Sequence, residues 1–366
     1  MRFETRWSDA IVRASVDVTS EVRLLEIVPQ GGAQPYAPGS HIDVSVLLRT
    51  SSGELADTRS YSLVGEHPVP GPGGAAYRIA VKQHAESRGG SRYMRTLQPG
   101  SRLRISNPQN LFELSFGAPQ VLLLAGGIGI TPIFGMALAL EHARADFRML
   151  YAGRNAAGMP FVEELRERLG RRLILFRGDA GARVDVAAEI ATLHPDAEMY
   201  MCGPMGLMDS ARAAWRAAGR TTASLRFETF GSSGRLVPEP FLVKVADQNR
   251  EVLVPSDKTM LSALREAGVE VLSDCLRGEC GLCVVDVLGV EGELDHGDVF
   301  LSVREKAAGG KLCTCVSRVA RSEHCAAGQM PGITIDAGAR EDRIAGRRIL
   351  KNPTAHAEEA ALYVAS

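Results

Sequence analysis

Three cysteines crowd into the stretch DCLRGECGLCVVDV: Cys275, Cys280 and Cys283, in a C-x4-C-x2-C run. A further cysteine follows at a distance in LCTCVSR, either Cys313 or Cys315. Thiolates at that spacing can hold a [2Fe–2S] cluster: a tight loop supplies three sulfurs and a distant segment brings the fourth. Gly278 and Gly281 lie between the ligands, where backbone without Cβ can pass close and aim N–H groups at sulfur. Structural zinc prefers paired C-x2-C-like runs, whereas here three ligands share one run. Disulfides are disfavoured as well. The seven cysteines cannot all pair, and MRFETRWSDAIV is charged early and lacks an apolar signal core. Reduced thiols in a cytoplasmic protein are the expectation.

Other stretches have the composition to bind phosphorylated ring systems. Arg59-Ser60-Tyr61-Ser62-Leu63 interleaves an arginine, a tyrosine and hydroxyls. On a strand, that set can hold a flavin, with the cation on a phosphate, the phenol on the ring face and hydroxyl or backbone groups on the ring edge. Val81-Lys82 follows, and then Ser87-Arg88-Gly89-Gly90-Ser91. Glycines beside an arginine and serines make a small anion cradle suited to one phosphate. Farther on, residues 121–124 run apolar into Ala125-Gly126-Gly127-Ile128-Gly129-Ile130-Thr131-Pro132. A glycine-rich turn between strand and helix seats a dinucleotide pyrophosphate on helix N-terminal amides. Thr131 is expected to cap that helix, with Pro132 at its first position. Cys202-Gly203-Pro204-Met205 is a second such turn, at a strand's carboxyl end where open α/β sheets bind ligands.

The elements that must position these residues fall into blocks. A chain of 366 residues has room for two or three domains. Its net charge of −1 gives no overall field for nucleic acid, and QVLLLAGGIGI is too short to span a membrane. Residues 1–115 alternate or carry β-branched runs at 14–18, 22–28, 41–47, 77–81 and 102–105, separated by Gly/Pro clusters, as in a closed antiparallel barrel. Residues 116–230 alternate buried-type strands with helical stretches, as in a doubly wound parallel sheet, and end on LRFETF. The composition of 231–240 is that of a linker. In 241–338 a hairpin and a short helix precede the cysteine loop, with a last strand at 333–335. Residues 339–366 are a charged, Ala-rich tail.

Taken in order, RSYSL, AVK with SRGGS, LAGGIGITP, MCGPMGLM, RFETF and C-x4-C-G-x-C followed by C-V-S-R resemble the phthalate dioxygenase reductase family, the reductase components of Rieske oxygenase systems such as vanillate O-demethylase. The resemblance covers about residues 5–336. It implies three domains: an FMN-binding barrel, an NAD-binding α/β domain and a β-grasp plant-type ferredoxin. FMN would lie on Arg59, Ser60, Tyr61 and Ser62, on Val81 and Lys82, and on Ser87, Gly89, Gly90 and Ser91. NADH would lie across Gly127, Thr131, Cys202, Gly203, Pro204 and Met205, with Phe230 near the flavin ring where nicotinamide enters. Hydride transfer needs no acid or base, so Glu228 is expected to orient nicotinamide or stabilise the domain junction. NADH is the implied nicotinamide, although Arg154 and Arg177 could meet a 2′-phosphate.

The resemblance also assigns the fourth ligand. The family's last cysteine stands in C-x-S-R, here Cys315-Val316-Ser317-Arg318, which leaves Cys313 as a buried neighbour. Both cysteines are expected on one strand, facing the same way. The count from Cys283 then requires an insertion between Val287 and His296. Departures from the family are the insertion around Ser322 to Pro331, with Cys325, and the tail beyond 340. The implied function is electron transfer from NADH through FMN and the cluster to a partner Rieske-type oxygenase that demethylates or hydroxylates a small aromatic or amine compound. The rival reading is a self-contained flavin/iron–sulfur reductase of a small molecule, or of another acceptor such as a cytochrome.

Overall fold

Alternation builds the first sheet. β1 (Trp7–Asp17) turns Ala10 and Val12 inward, and β2 (Val22–Pro29) buries Val22, Leu25 and Ile27. β3 (Ser40–Thr50), β4 (Gly53–Ser62) and β5 (Tyr77–Lys82) follow, then α1 (Gly90–Thr96), β6 (Arg102–Ser106) and the short β7 (Gln109–Asn110). The strands are antiparallel in the order β4-β3-β6-β1-β2-β5, with β7 against β3. Just past β4, Leu63 bridges Ile79 of β5, so the sheet curls back on itself around Ile42, Val44, Leu63, Ile79 and Ile105. The computed structural model describes residues 5–50, 53–83, 89–230, 236, 238–256, 258–322 and 329–338. Ser87, Arg88, Cys325 and the 339–366 tail lie outside the described residues. Two departures from the sequence reading stand out here. β1 starts at Trp7, well before residue 14, because exposed Ile11 sits between buried Ala10 and Val12 and blurs the alternation. The glycine pair of the expected anion cradle opens a helix, α1, with Gly89 at its N-terminus.

The same compact unit, Met1–Ser233, contains the α/β layer. Its strands are β8 (Val121–Gly126), β9 (Phe147–Gly153), β10 (Leu173–Arg177), β11 (Glu198–Cys202) and β12 (Leu225–Glu228), all parallel in the order β10-β9-β8-β11-β12. Central β8 is buried along its whole length, which is why it reads as a continuous apolar run. Helices α2 (Ile130–His142), α3 (Val162–Leu169), α4 (Val186–Ala191) and α5 (Met205–Ala217) make the crossovers. α5 buries Met205, Met208, Ala211 and Trp215 along one stripe, and the Trp215 indole donates to Thr221 O at 2.8 Å. Trp215→Ala would cost about 3–5 kcal/mol.

The second unit, Gly234–Ser366, holds a mixed sheet. β13 (Phe241–Val245), β14 (Arg250–Val254), β15 (Val284–Glu291), β17 (Lys311–Cys313) and β19 (Gly332–Asp336) are ordered β14-β13-β19-β15-β17, with β13 and β19 parallel. A small ladder pairs β16 (Glu293–Asp295) with β18 (Arg318–Ala320). α6 (Met260–Glu266) crosses the sheet with Met260, Leu261 and Leu264 buried, in the β-grasp arrangement, and α7 (Val303–Ala308) starts in a Ser302–Glu305 capping box. The register of β15 slips between Val287 and Gly289, a strand bulge at the start of the segment where extra length is expected. Among the described residues no helix is long and apolar enough to cross a membrane.

Candidate functional site

The two glycine turns of the α/β layer meet at the carboxyl ends of neighbouring β8 and β11, where Cys202 pairs with Ala125. The chain leaves β8 for β9 on one side and reaches β11 on the other, which makes this the crevice where doubly wound sheets take nucleotides. A Cβ on Gly129 would lie 2.2 Å from Cys202 O, and one on Gly203 would lie 3.0 Å from Gly126 Cα. Only glycine lets the two turns touch. Gly127 adopts φ +54°, and its carbonyl accepts from the Tyr151 hydroxyl at 3.2 Å. Cys202 and Met205 are buried, and Pro204 precedes α5 in extended backbone. Thr131 does not cap the helix. A 3₁₀ turn at Gly127–Gly129 runs straight into α2, so the helix starts at Ile130 and the Thr131 hydroxyl donates back to Ile128 O at 3.1 Å.

The flavin-type residues line β4, β5 and the start of α1. A Cβ on Gly90 would lie 2.9 Å from Arg59 Nε, so the Arg59 side chain crosses the Gly89-Gly90-Ser91 entry to α1. Gly89 itself adopts φ +91°. Burial pushes the Tyr61 phenol well above its ordinary range, so the ring stays neutral. Ser60 donates to Asp43 Oδ1 at 2.5 Å, and Lys82 pairs with Glu21 at 3.1 Å. Val81 packs into the barrel core. The Ser62 hydroxyl donates to buried Glu228 Oε2 at 2.9 Å. Glu228 ends β12, beside Cys202, and Phe230 follows, half-buried. Glu228 therefore ties the flavin-type strand to the nucleotide crevice. Its partner, a serine far back in the chain, leaves no sequence signal.

In the second unit the cysteine loop wraps its own sulfur. The backbone N–H groups of Arg277, Glu279 and Cys280 each donate to Cys275 Sγ at 3.4 Å. Burial raises the Cys275 thiol above its ordinary value, and the three converging donors offset part of that and suit a metal-bound thiolate. The Cys283 and Cys315 thiols lie 3.2 Å apart, close enough to share one metal atom. Hydrogen bonds from Cys313 and then Cys315 hold the Cys283 thiol well below its ordinary value, and the same contact raises Cys313 and Cys315. Leu276 adopts φ +55° and Gly278 φ +75°, which bends the loop between Cys275 and Cys280. Cys313 and Cys315 do not share a strand. β17 ends at Cys313, fully buried, and the chain turns there, with Val316 N and Ser317 N donating to Cys313 O. The donor set and its amide cradle fit an iron–sulfur cluster.

A glycine-lined nucleotide crevice beside a flavin-type barrel, with a four-cysteine β-grasp unit in the same chain, defines an NADH-dependent flavin/iron–sulfur oxidoreductase. The profile of the 2Fe-2S iron-sulfur cluster binding domain matches residues 243–320. A vanillate O-demethylase oxidoreductase from Pseudomonas putida is 33% identical over 316 residues, 85% of this chain and 96% of that protein. A solved phthalate dioxygenase reductase, described as a modular structure for electron transfer from pyridine nucleotides to [2Fe-2S], superposes with a TM-score of 0.65 at 27% identity, covering 90% of this chain and 98% of that one. An intact type IV self-sufficient cytochrome P450 monooxygenase gives a TM-score of 0.58 at 32% identity over 90% of this chain, which spans 41% of that longer protein. The chain belongs to the phthalate dioxygenase reductase family of oxygenase reductase components. Its cofactors are those of the family: FMN, NAD(H) and a [2Fe–2S] cluster.

Proposed function

We propose that this chain delivers electrons from NADH to a separate terminal oxygenase of the Rieske type, one that demethylates or hydroxylates a small aromatic or amine compound in the cytoplasm. The vanillate O-demethylase relative supports that partner class. The observation that carries the reading is the pairing of sites in one chain: the Gly129–Cys202 crevice, and the cysteine loop whose Cys283 sulfur lies 3.2 Å from that of Cys315.

When bound, FMN takes an electron pair from NADH and the cluster carries single electrons onward. The chain's residues do the positioning. Arg59 and the Gly89-Gly90-Ser91 entry, with Ser87, would hold the flavin phosphate, and Tyr61, Ser60, Ser62, Val81 and Lys82 would hold the ring. Gly127, Thr131, Cys202, Gly203, Pro204 and Met205 would seat NADH, with Phe230 near the flavin ring where nicotinamide enters. Cys275, Cys280, Cys283 and Cys315 would hold the cluster. The preference for NADH follows from the family resemblance, and it fits that Arg177 is tied to Asp179 through two hydrogen bonds of 2.9 and 3.1 Å, which occupy the guanidinium a 2′-phosphate would need.

Flavin released by heat should chromatograph as FMN, and NADH should reduce cytochrome c or a dye far faster than it is consumed without an acceptor. A stoichiometric yield of FAD, or equal rates, would refute the reading. A second reading, delivery to a haem oxygenase, is favoured by the likeness to the self-sufficient cytochrome P450.

A further inference from the structure

The cysteine loop is clasped by residues 297–301. Gly278 O accepts from Val299 N at 3.1 Å and Phe300 N at 3.2 Å. A Cβ on Gly278 would lie 2.8 Å from Asp298 Cα, and one on Gly281 would lie 2.2 Å from the Phe300 ring. A Cβ on Gly297 would lie 2.6 Å from Val316 O, next to Cys315. The clasp thus touches the loop at both glycines and the chain beside the distant cysteine.

Asp298 is the hub of that clasp, and it is fully buried. Its Oδ2 accepts from Leu301 N at 2.8 Å, which closes the turn. The Lys306 ammonium lies 3.8 Å from Oδ2 and donates to Asp298 O. His296 Nδ1 lies 3.5 Å from Oδ1. Among the described residues Asp298 Oδ1 and both His296 ring nitrogens make no hydrogen bond. A buried carboxylate–ammonium pair is a poor device for stability alone, because apolar residues of the same volume usually serve as well. A fixed charge behind a redox centre does something apolar residues cannot: it biases the centre's two charge states.

We infer that Asp298 is a positioning residue for the cluster, holding the 297–301 clasp against the cysteine loop while its carboxylate and the Lys306 ammonium set the cluster's potential in opposite senses. This rests on the cluster assignment above. Removing the carboxylate stabilises the more negative, reduced cluster, and removing the ammonium disfavours it.

The test is the midpoint potential and EPR signature of Asp298→Asn and Lys306→Gln in the full chain, beside wild type. Both variants are expected to keep their iron. Asp298→Asn should shift the midpoint to a more positive value and Lys306→Gln to a more negative one. Shifts of the same sign, no shift, or loss of iron from both would overturn the inference and leave a structural role only. If Asp298→Asn alone loses iron, Lys306→Gln decides: a negative shift supports the inference and an unshifted midpoint overturns it. Absence of a [2Fe–2S] spectrum in wild type would instead sink the cluster assignment itself.

Discussion

The nucleotide crevice and the cysteine loop both depend on glycine, but for opposite reasons. In the crevice, glycines at 126, 129 and 203 remove side chains so that two backbone turns can touch, and the binding surface is mostly main chain. In the loop, Gly278 and Gly281 adopt positive φ and press against Asp298 and Phe300, so that side-chain sulfurs converge. A site made of backbone tolerates no added atom. A site made of side chains tolerates packing changes but no loss of a ligand. That contrast predicts which substitution destroys which half-reaction.

The largest expected effect is on the cluster. Cys315→Ser should abolish or badly perturb its visible and EPR signature, whereas Cys313→Ser should leave it nearly intact, and NADH-driven flavin bleaching should survive both. Loss of the cluster in Cys313→Ser would reassign the fourth ligand. Next comes Gly129→Ala, whose new methyl would collide with Cys202 O. NADH turnover with ferricyanide should fall about 100-fold, as a misplacement near 1 Å commonly costs. The cluster spectrum should not change. If Gly129→Ala turns over normally, the crevice is not the nicotinamide site.

Smaller effects sharpen the comparison. Ser62→Ala removes one donor from the buried Glu228 carboxylate, and differential scanning calorimetry should show a loss of about 1.5–3 kcal/mol. An unchanged melting transition would mean that Glu228 draws nothing from Ser62. The smallest concerns nicotinamide choice. Asp179→Asn frees Arg177, so kcat/KM for NADPH should rise roughly tenfold, equivalent to about 1.4 kcal/mol of transition-state binding, while NADH changes little. A ratio of the two cofactors that does not move would place the adenosine end elsewhere.

How much of this can be read from the sequence follows the same division. The C-x4-C-x2-C run is legible alone, because a cluster demands thiols at set separations, whereas the choice of Cys315 over Cys313 needs the family pattern. The order of the sheets is legible too, since 121–124 has the apolar continuity of a strand buried on both faces and the helical stretches alternate with strands. Local geometry is harder. Thr131 looks like a cap, yet a 3₁₀ turn made of three residues starts the helix early. Cys313 and Cys315 look like a strand pair, yet Cys313 O accepts from two later amides and turns the chain. Ser62–Glu228 and the Asp298 clasp join residues distant in sequence or hidden in an ordinary turn motif, and no local pattern announces them.

The central claim is that one chain carries electrons from NADH to a [2Fe–2S] centre. Anaerobic titration of the purified protein with NADH, followed by flavin absorbance and low-temperature EPR, tests it most directly. Bleaching of an FMN spectrum is expected, with the EPR signal of a reduced [2Fe–2S] cluster appearing in the same titration. Bleaching of the flavin with no cluster signal, in protein that contains iron and sulfide, would contradict it.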